Sequence, residues 1–279
     1  LRRRGCRFLG PGGDCELVPV IAPGALAMDY GETASFRHRG VCIEGADSRE
    51  NILDFIDWLP KAGYNSFFLQ FKSPRAFLAR WYGHERNPLK KPEPLTEAEL
   101  QQYAAEFQQA VKERDLMLHG AGHGWTGEVL GYDAQSWDKS RPLEEETRPL
   151  AALVNGKRDL YGGVPANTNL CLDNREAVGD FAALVADYAG AHPGVDCLHV
   201  WLAGEYNNVC ECGGCQETTL SDQYVELLNE IDRCLHKKGL ETKIVFLLYQ
   251  ELLWPPIRAR LARPERFVLM FAPISRTFA

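Results

Sequence analysis

The chain has 279 residues, of which 45% are hydrophobic and 25% are charged, as in an ordinary folded globular protein of one or two domains. Its formal net charge of -7 provides no basic surface, which argues against a nucleic-acid partner. No apolar run reaches the roughly 18 residues that a membrane-spanning helix needs, so we expect no membrane partner, and no pattern indicates an oligomeric state.

The opening segment differs in composition from the rest of the chain. Residues 1–35 are rich in Gly and Pro and end in a stretch typical of a linker. A regular pattern of apolar segments begins at Phe36, so we predict one domain over residues 36–279 and only a remnant of another domain, with a linker, before it. Because the chain begins at Leu1 rather than Met and stops just after an apolar segment, we expect both ends to be truncated.

Six apolar segments of strand length follow one another along the predicted domain. The predicted strands cover residues 40–44, 64–71, 116–120, 197–203, 243–249 and 267–272. Helices with periodic apolar residues are predicted after the capping residues Ser48, Thr96, Asn174 and Ser221, and shorter helices are predicted near residues 142–154 and after Pro255.

Strands that alternate with helices form a parallel sheet through right-handed crossovers. Such a sheet is either open and doubly wound or closed as a barrel. No glycine-rich phosphate-binding motif follows the first strand, which disfavours the doubly wound alternative. Long insertions follow the second, third and fourth strands, the side on which barrel enzymes carry their active-site loops. We therefore predict an α/β fold, a (β/α)8 TIM-type barrel that is truncated after about six strands.

Polar and aromatic side chains stand where the predicted strands end, which is the position of the chemistry in such barrels. Carbohydrate sites need carboxylates for proton transfer, polar groups for hydroxyls and aromatic faces for the apolar side of the sugar ring. The residues of these types are Glu44, Gln70, Lys72, His119, His123, Trp125, Glu205, Tyr206, Asn207, Tyr249 and Arg276. We expect them to form a binding site for a carbohydrate substrate.

Glu205 is the candidate for proton transfer. It follows the fourth apolar segment, so we expect it at the mouth of that strand, flanked by Trp201 and Tyr206. A carboxyl group in such surroundings can have a raised pKa and act as a proton donor. The alternative is a loop glutamate that is paired with a lysine or bound to backbone groups.

Two histidines flank a short run of small residues. His119 and His123 stand on either side of Gly-Ala-Gly, and small residues allow a ligand to approach the backbone closely. The imidazoles could bind sugar hydroxyls or a metal. The alternative is that neighbouring carbonyl groups satisfy both rings in a structural role.

The cysteines indicate a second kind of site. Their odd number, nine, fits reduced thiols or a metal better than a disulfide scaffold and favours a cytoplasmic protein. Cys210, Cys212 and Cys215 fall within the hexapeptide CECGGC, which suits a structural zinc whose fourth ligand would be Cys171, Cys234 or a histidine. The alternative is a loop of free thiols, and the carbohydrate chemistry itself requires no cofactor.

Several stretches of the sequence resemble a known group of proteins. They are FRHRGVCIEG, FFLQF with ARWYGHERNP, LHGAGHGW, VWLAGEYNNVCECGGC, SDQYVELLNEI, and KIVFLLYQELLWPP followed by FVLMFAPISRT. The segment from residue 36 onward resembles bacterial glycoside-hydrolase-like domains of unknown function that are related to family 20 hexosaminidases and α-glucuronidases. The opening RRRGCRFLGPGGDCELVP is similar to the end of the small α/β domain that precedes the barrel in these enzymes.

The resemblance implies hydrolysis of a glycosidic bond by an eight-stranded barrel. Arg39 matches the arginine with which hexosaminidases grip sugar hydroxyls, and Glu205 matches their acid. Hexosaminidases place an Asp directly before that acid to orient the acetamido group of the substrate, whereas this chain has Gly204 there. Because the last two strands are missing from the sequence, we expect the chain as given to lack its second carboxylate and to be inactive. The alternative function is a barrel that binds a carbohydrate without cleaving it and carries a structural zinc–thiolate loop.

Overall fold

A computed structural model of the protein describes residues 5–20, 31–43, 45–70, 72, 75–84, 87–133 and 137–272. The chain divides into two compact units, Leu1–Leu69 with Ser73–Leu118 and Gln70–Lys72 with His119–Ala279. Glu44 and Arg276 of the predicted site lie outside the described residues. The predicted domain boundary after residue 35 stays a prediction.

The first unit begins with two short strands and continues with sheet strands and helices. In chain order its elements are β1 (Arg7–Phe8), β2 (Glu16–Leu17), β3 (Gly40–Ile43), α1 (Arg49–Ala62), β4 (Ser66–Leu69), α2 (Arg75–Tyr82) and α3 (Glu97–Glu113). The strands β1 and β2 are antiparallel, whereas β3 and β4 are parallel, with Gly40 opposite Ser66. The next strand, β5 (Met117–Gly122), starts in this unit and ends in the second one.

The helix boundaries of the first unit follow from local capping. The Ser48 hydroxyl accepts a hydrogen bond from Asn51 N (3.1 Å), and α1 ends at Gly63, whose φ of 89° is left-handed. Thr96 and Glu99 form the capping box that begins α3. The predicted starts of both helices are therefore confirmed.

The second unit carries the remaining strands and the longest helices. In chain order its elements are α4 (Trp125–Val129), β6 (Leu153–Val154), β7 (Lys157–Arg158), α5 (Arg175–Ala191), β8 (Cys197–Val200), α6 (Gly213–Gln216), α7 (Leu220–Lys237), β9 (Lys243–Leu248) and β10 (Phe267–Phe271). The predicted helix near residues 142–154 is wrong, because this segment forms one 3-10 turn at Arg148–Leu150 and then the antiparallel hairpin β6–β7. All four side chains of β8 are buried, including that of the polar His199.

The order of the strands identifies the barrel topology. Six parallel strands are hydrogen-bonded neighbours in the order β3, β4, β5, β8, β9 and β10, which is also their order along the chain. A doubly wound sheet reverses its strand order at a switch point, whereas a β/α barrel adds each new strand on the same side of the previous one. The protein therefore has the fold of a truncated TIM-type barrel, as the sequence predicts.

The start of α7 differs from the prediction by two residues. Thr219, not Ser221, caps this helix, since the Thr219 hydroxyl accepts a hydrogen bond from Asp222 N (3.1 Å). Ser221 is buried and donates its hydroxyl hydrogen to the carbonyl oxygen of Trp254. The helix predicted after Pro255 is also wrong, because the residues that follow form an irregular loop. No helix in the described part of the chain is long and apolar enough to cross a membrane.

Candidate functional site

Glu205 lies in the loop that follows β8, as predicted. The side chain is half-buried, and its Oε1 atom accepts a hydrogen bond from Tyr206 N (3.0 Å). The start of this loop is fixed by Asn169, whose Oδ1 atom accepts from Ala203 N (3.0 Å). Asn169 in turn donates to Asn208 Oδ1 (2.8 Å), and both asparagines are buried. A buried amide pair therefore holds both ends of the segment that carries Glu205.

The end of β9, the neighbouring parallel strand, contributes a second carboxylate. Gln250 has a positive φ of 51° and donates from Nε2 to the Gly204 carbonyl oxygen (3.1 Å). Glu251 accepts a hydrogen bond at Oε1 from Asn207 N (3.0 Å). The sequence interpretation missed Glu251, although it is the first carboxylate after the β9 segment, which was the signal that singled out Glu205 after β8. We call residues 204–207 and 249–251 together the β8–β9 rim.

The β8–β9 rim combines the three types of group that a carbohydrate site needs. Tyr206 is 43% exposed, Asn207 is exposed and Tyr249 is half-buried. The Tyr161 hydroxyl donates to the Tyr206 carbonyl oxygen (2.8 Å) and so supports the loop from the side. Of the predicted site residues, the structure therefore brings Glu205, Tyr206, Asn207 and Tyr249 to one edge of the sheet.

The two predicted histidines occupy different environments. His119 is buried, and its Nδ1 atom lies 2.9 Å from Nε2 of His199, so it faces another imidazole rather than a ligand. His123 packs edge-on against Trp137 and Trp201, with ring centroids 5.5 Å and 4.9 Å away. Burial lowers the pKa of His123 to about 4, and a hydrogen bond with the Leu202 backbone acts in the opposite direction. The His123 imidazole is therefore neutral at pH 7.

Three other predicted sugar contacts, Gln70, Lys72 and Trp125, have largely buried side chains. Gln70 is 1% exposed and Trp125 is fully buried, with its indole N–H donating to the His199 carbonyl oxygen (3.0 Å). The Lys72 ammonium lies 3.8 Å from the centre of the Trp125 ring and forms an ion pair with Glu128. Burial lowers the pKa of Lys72 to about 7. Both polar atoms of the Gln70 side chain are buried without a hydrogen-bond partner among the described residues, and the predicted sugar contacts of these three side chains stay predictions.

Arg39 makes structural contacts near the start of β3. It directly precedes β3, so it stands at the amino-terminal end of its strand, whereas barrel sites lie at the carboxyl ends. Its guanidinium donates to the Gly63 carbonyl oxygen (2.9 Å) and to the Phe36 carbonyl oxygen. Arg39 therefore closes the turn from α1 to β4 within the first unit, and its contact with a sugar stays a prediction.

The cysteine cluster is the group of residues best suited to hold a metal. The sulfur atoms of Cys171, Cys210, Cys212 and Cys215 all lie within 4.8 Å of one another. Cys171 was one of three candidates for the fourth position, whereas Cys234, on α7, does not belong to this group. The structure thus selects among alternatives that the sequence left open.

Comparison with known proteins gives structural matches only. No protein-family model matches the sequence, and no curated protein matches it. A structure of the tandem GH20 modules of the pneumococcal exo-β-D-N-acetylglucosaminidase is similar at a TM-score of 0.47 and 13% identity, over 83% of this chain and 58% of that chain. A β-N-acetylhexosaminidase from Bacteroides fragilis has a TM-score of 0.46 and 12% identity, over 84% of this chain and 45% of that chain. Trehalose-6-phosphate hydrolase from Bacillus licheniformis has a TM-score of 0.40 and 12% identity, over 75% of this chain and 44% of that chain.

Proposed function

We propose that this protein is a glycoside hydrolase in which Glu205 is the general acid. The observation that carries the proposal is the position of the Glu205 carboxyl group, half-buried at the carboxyl end of β8. Active sites of TIM-type barrels lie at this end of the strands. One carboxyl oxygen is oriented by Tyr206 N, which leaves the other oxygen to carry and deliver a proton to a leaving group.

The side chains around Glu205 fit a carbohydrate as the substrate class. The rings of Tyr206 and Tyr249 can cover the apolar face of a sugar, and the Asn207 amide can exchange hydrogen bonds with hydroxyl groups. Asn207 has a positive φ of 55° and is held in that conformation by the hydrogen bond from its backbone to Glu251. Glu44 and Arg276 stay predicted contacts of the same site.

Glu251 is our candidate for the second carboxylate. Glycoside hydrolysis uses one carboxylic acid to protonate the leaving group and one carboxylate as nucleophile or base. Glu251 follows β9, the strand next to β8, and its Oε1 atom is fixed by the backbone of the loop that carries Glu205. This assignment supplies the partner carboxylate from the described residues.

The test is hydrolysis of a panel of aryl glycosides by the complete gene product and three variants. Glu205→Gln should lose roughly two to four decades of kcat, because the amide cannot donate a proton as an acid does. Glu251→Gln should lose rate as well. In Glu205→Gln alone, the loss of rate should be larger for substrates with poor leaving groups than for substrates with good ones. Glu226→Gln is the matched control, since this exposed glutamate lies on α7 away from the β8–β9 rim.

Unchanged turnover in Glu205→Gln would end its assignment as the acid. A wild-type protein that binds glycans and releases no product from any substrate would instead identify a non-catalytic carbohydrate-binding barrel. The fixed hydrogen bond between Glu251 and Asn207 is compatible with that second function, because it can serve to shape a binding surface. Calorimetric titration with the same glycans distinguishes the two outcomes.

A further inference from the structure

The loop after β8 ends in a cluster of sulfur atoms that the proposed hydrolysis does not use. Cys171 directly follows Leu170, which forms an isolated antiparallel β-bridge with Ala151. Cys210 and Cys212 lie in the loop after β8, and Cys215 lies in α6. Cys171 and Cys215 are buried, and the other two are half-buried. Four thiols from two distant parts of the chain thus meet at one point.

The distances between these sulfur atoms match a tetrahedral metal site. Cys171 Sγ lies 3.6 Å from Cys212 Sγ and 3.9 Å from Cys215 Sγ. Four thiolates at about 2.3 Å from a zinc ion stand about 3.8 Å apart, which is the edge of the tetrahedron. A disulfide would need about 2.05 Å, and all nine cysteines, each in the described part of the chain, are free thiols.

Backbone groups surround the sulfur atoms of the cluster. Leu153 N donates to Cys210 Sγ (3.3 Å). The backbone groups of Cys212 and Asp173 lie close to the sulfur atoms of Cys210 and Cys215. A hydrogen bond such as that from Leu153 N stabilises a thiolate rather than a thiol, and outer hydrogen bonds of this kind orient the ligands of protein metal sites.

A guanidinium group offsets the negative charge that four thiolates would bring. Arg158, at the end of β7, lies near the cluster, and its guanidinium interacts electrostatically with the thiols of Cys171 and Cys210. Four thiolates exceed the charge of one zinc ion, so a neighbouring cation stabilises the assembled site. Without a metal, the same arrangement would place one cation against several neutral thiols.

The backbone of the Cys212–Cys215 turn is shaped for close packing. A Cβ atom on Gly214 would lie 2.1 Å from Asp173 Oδ2, so the Asp173 carboxylate packs directly against the backbone of this turn. Glu211 N donates to the Leu153 carbonyl oxygen (2.7 Å), and Glu211 Oε2 accepts from Asn155 N (2.8 Å). The hairpin and the turn are therefore held together around the cluster.

We propose that Cys171, Cys210, Cys212 and Cys215 bind one zinc ion in a closed structural site. Four protein ligands leave no open position for a substrate or a reactive water, so the ion holds segments of chain together and takes no part in hydrolysis. It anchors the far end of the loop that begins at β8 and carries Glu205. The metal site itself does not depend on the proposed function.

The first test is the metal content of the complete protein, purified without chelators and measured by inductively coupled plasma mass spectrometry. The expected result is about one zinc per chain, because structural zinc is retained tightly. Replacement by Co²⁺ should give the visible absorption of a tetrahedral thiolate site. Less than about a tenth of an equivalent of zinc, or iron in its place, would overturn the assignment.

Two serine variants identify the fourth ligand. Cys171→Ser should lose at least nine tenths of the bound zinc, whereas Cys234→Ser should retain it, because Cys234 Sγ lies beside Glu230 on α7 instead of in the cluster. Circular dichroism checks that both variants are folded. Equal zinc contents in the two variants would exclude Cys171 as a ligand.

Alkylation of the wild-type protein tests the site even if Cys171→Ser does not fold. Cys210 and Cys212 are half-buried, as are Cys15 and Cys234, so exposure alone predicts similar reactivity. With zinc bound, Cys210 and Cys212 should react with iodoacetamide at least ten-fold more slowly than Cys15 and Cys234, and a strong chelator should abolish the difference. Peptide mass spectrometry reads each site, and equal rates without the chelator would contradict the proposal.

Discussion

The imidazole of His123 occupies the space where a side chain at position 204 would begin. A Cβ atom on Gly204 would lie 2.8 Å from His123 Cε1 and 3.4 Å from its Nε2 atom. The ring cannot swing aside freely, because Trp137 and Trp201 contact it on other sides. This packing leaves no room for a longer side chain directly before Glu205.

Gly204→Ala should therefore destabilise the protein by about 1–3 kcal/mol, the usual cost of forcing an extra carbon into a packed interior. Urea unfolding followed by tryptophan fluorescence measures the free energy of unfolding. His123→Ala removes the obstructing ring, so the double variant should lose less than the sum of the two single losses. Gly194→Ala is the control, since no atom lies within 4 Å of its Cβ position, and an equal loss there would refute the steric explanation.

The stability of the protein should fall between pH 6.5 and pH 4 because of His123. Burial lowers the pKa of this imidazole from 6.5 to about 4, so the unfolded chain takes up a proton before the folded protein does. The contribution of the neutral His123 imidazole to the free energy of unfolding is complete above pH 6.5 and is lost as the pH approaches 4. This contribution is at most about 3 kcal/mol. Urea unfolding across this range in wild type and His123→Gln measures the difference. Identical pH profiles would show that His123 does not contribute.

Local sequence signals predicted the fold well because each depends on nearby residues. The periodic apolar residues and the Thr96–Glu99 capping box are properties of single segments, and the structure confirms them. The cap of α7 shows where such signals fail. Thr219 and Ser221 are equally good caps in sequence, and the choice is made by Trp254, whose carbonyl binds the Ser221 hydroxyl from a distant part of the chain.

The site could be predicted only in part, since strand ends indicate an edge of the sheet but not the depth of each side chain. Glu205 and Tyr206 are at the β8–β9 rim as expected, whereas Trp125 is fully buried. Arg39 stands at the start of its strand rather than the end, and the predicted strand bounds of 40–44 already placed it there. Cys171 joins three cysteines that are far from it in the sequence, and only the tertiary structure selects it.

Glu128 should matter more to stability when Lys72 is present than when it is absent. Below pH 7, where Lys72 is protonated, Glu128→Gln leaves its buried ammonium without a counter-charge. This change should cost about 1–3 kcal/mol after allowance for the partial exposure of Glu128, and less at pH 7 because half of the amine is already neutral. Lys72→Met removes the charge and keeps the contact with the Trp125 ring. The double variant should therefore be more stable than Glu128→Gln alone. Urea unfolding below pH 7 measures all four proteins, and a double variant that is less stable than both single variants would contradict this account.

Arg158 should determine how tightly the thiolate cluster holds zinc. Its guanidinium lies near the sulfur atoms, and Arg158→Gln removes the positive charge that favours thiolates over thiols. Loss of an outer-shell partner typically costs 10- to 100-fold in metal affinity, which we expect here. Arg158→Lys keeps the positive charge but loses the planar guanidinium with its several N–H donors. Its zinc affinity should therefore fall between those of the wild type and Arg158→Gln.

Competition with a chromophoric chelator measures these affinities, and Arg141→Gln is the matched control. Arg141 is exposed and pairs with Glu144, outside the cluster, so its loss should leave zinc affinity unchanged.

Arg158 also donates to the Ala151 carbonyl oxygen, so it could act on the structure of the hairpin alone. A purely structural role would lower the melting temperature without lowering the zinc affinity at low temperature. A change in melting temperature together with unchanged zinc affinity in Arg158→Gln would assign Arg158 to the hairpin alone. A fall in affinity that grows as the pH decreases would show that Arg158 acts by keeping the sulfur atoms deprotonated, because protons compete with zinc for thiolates.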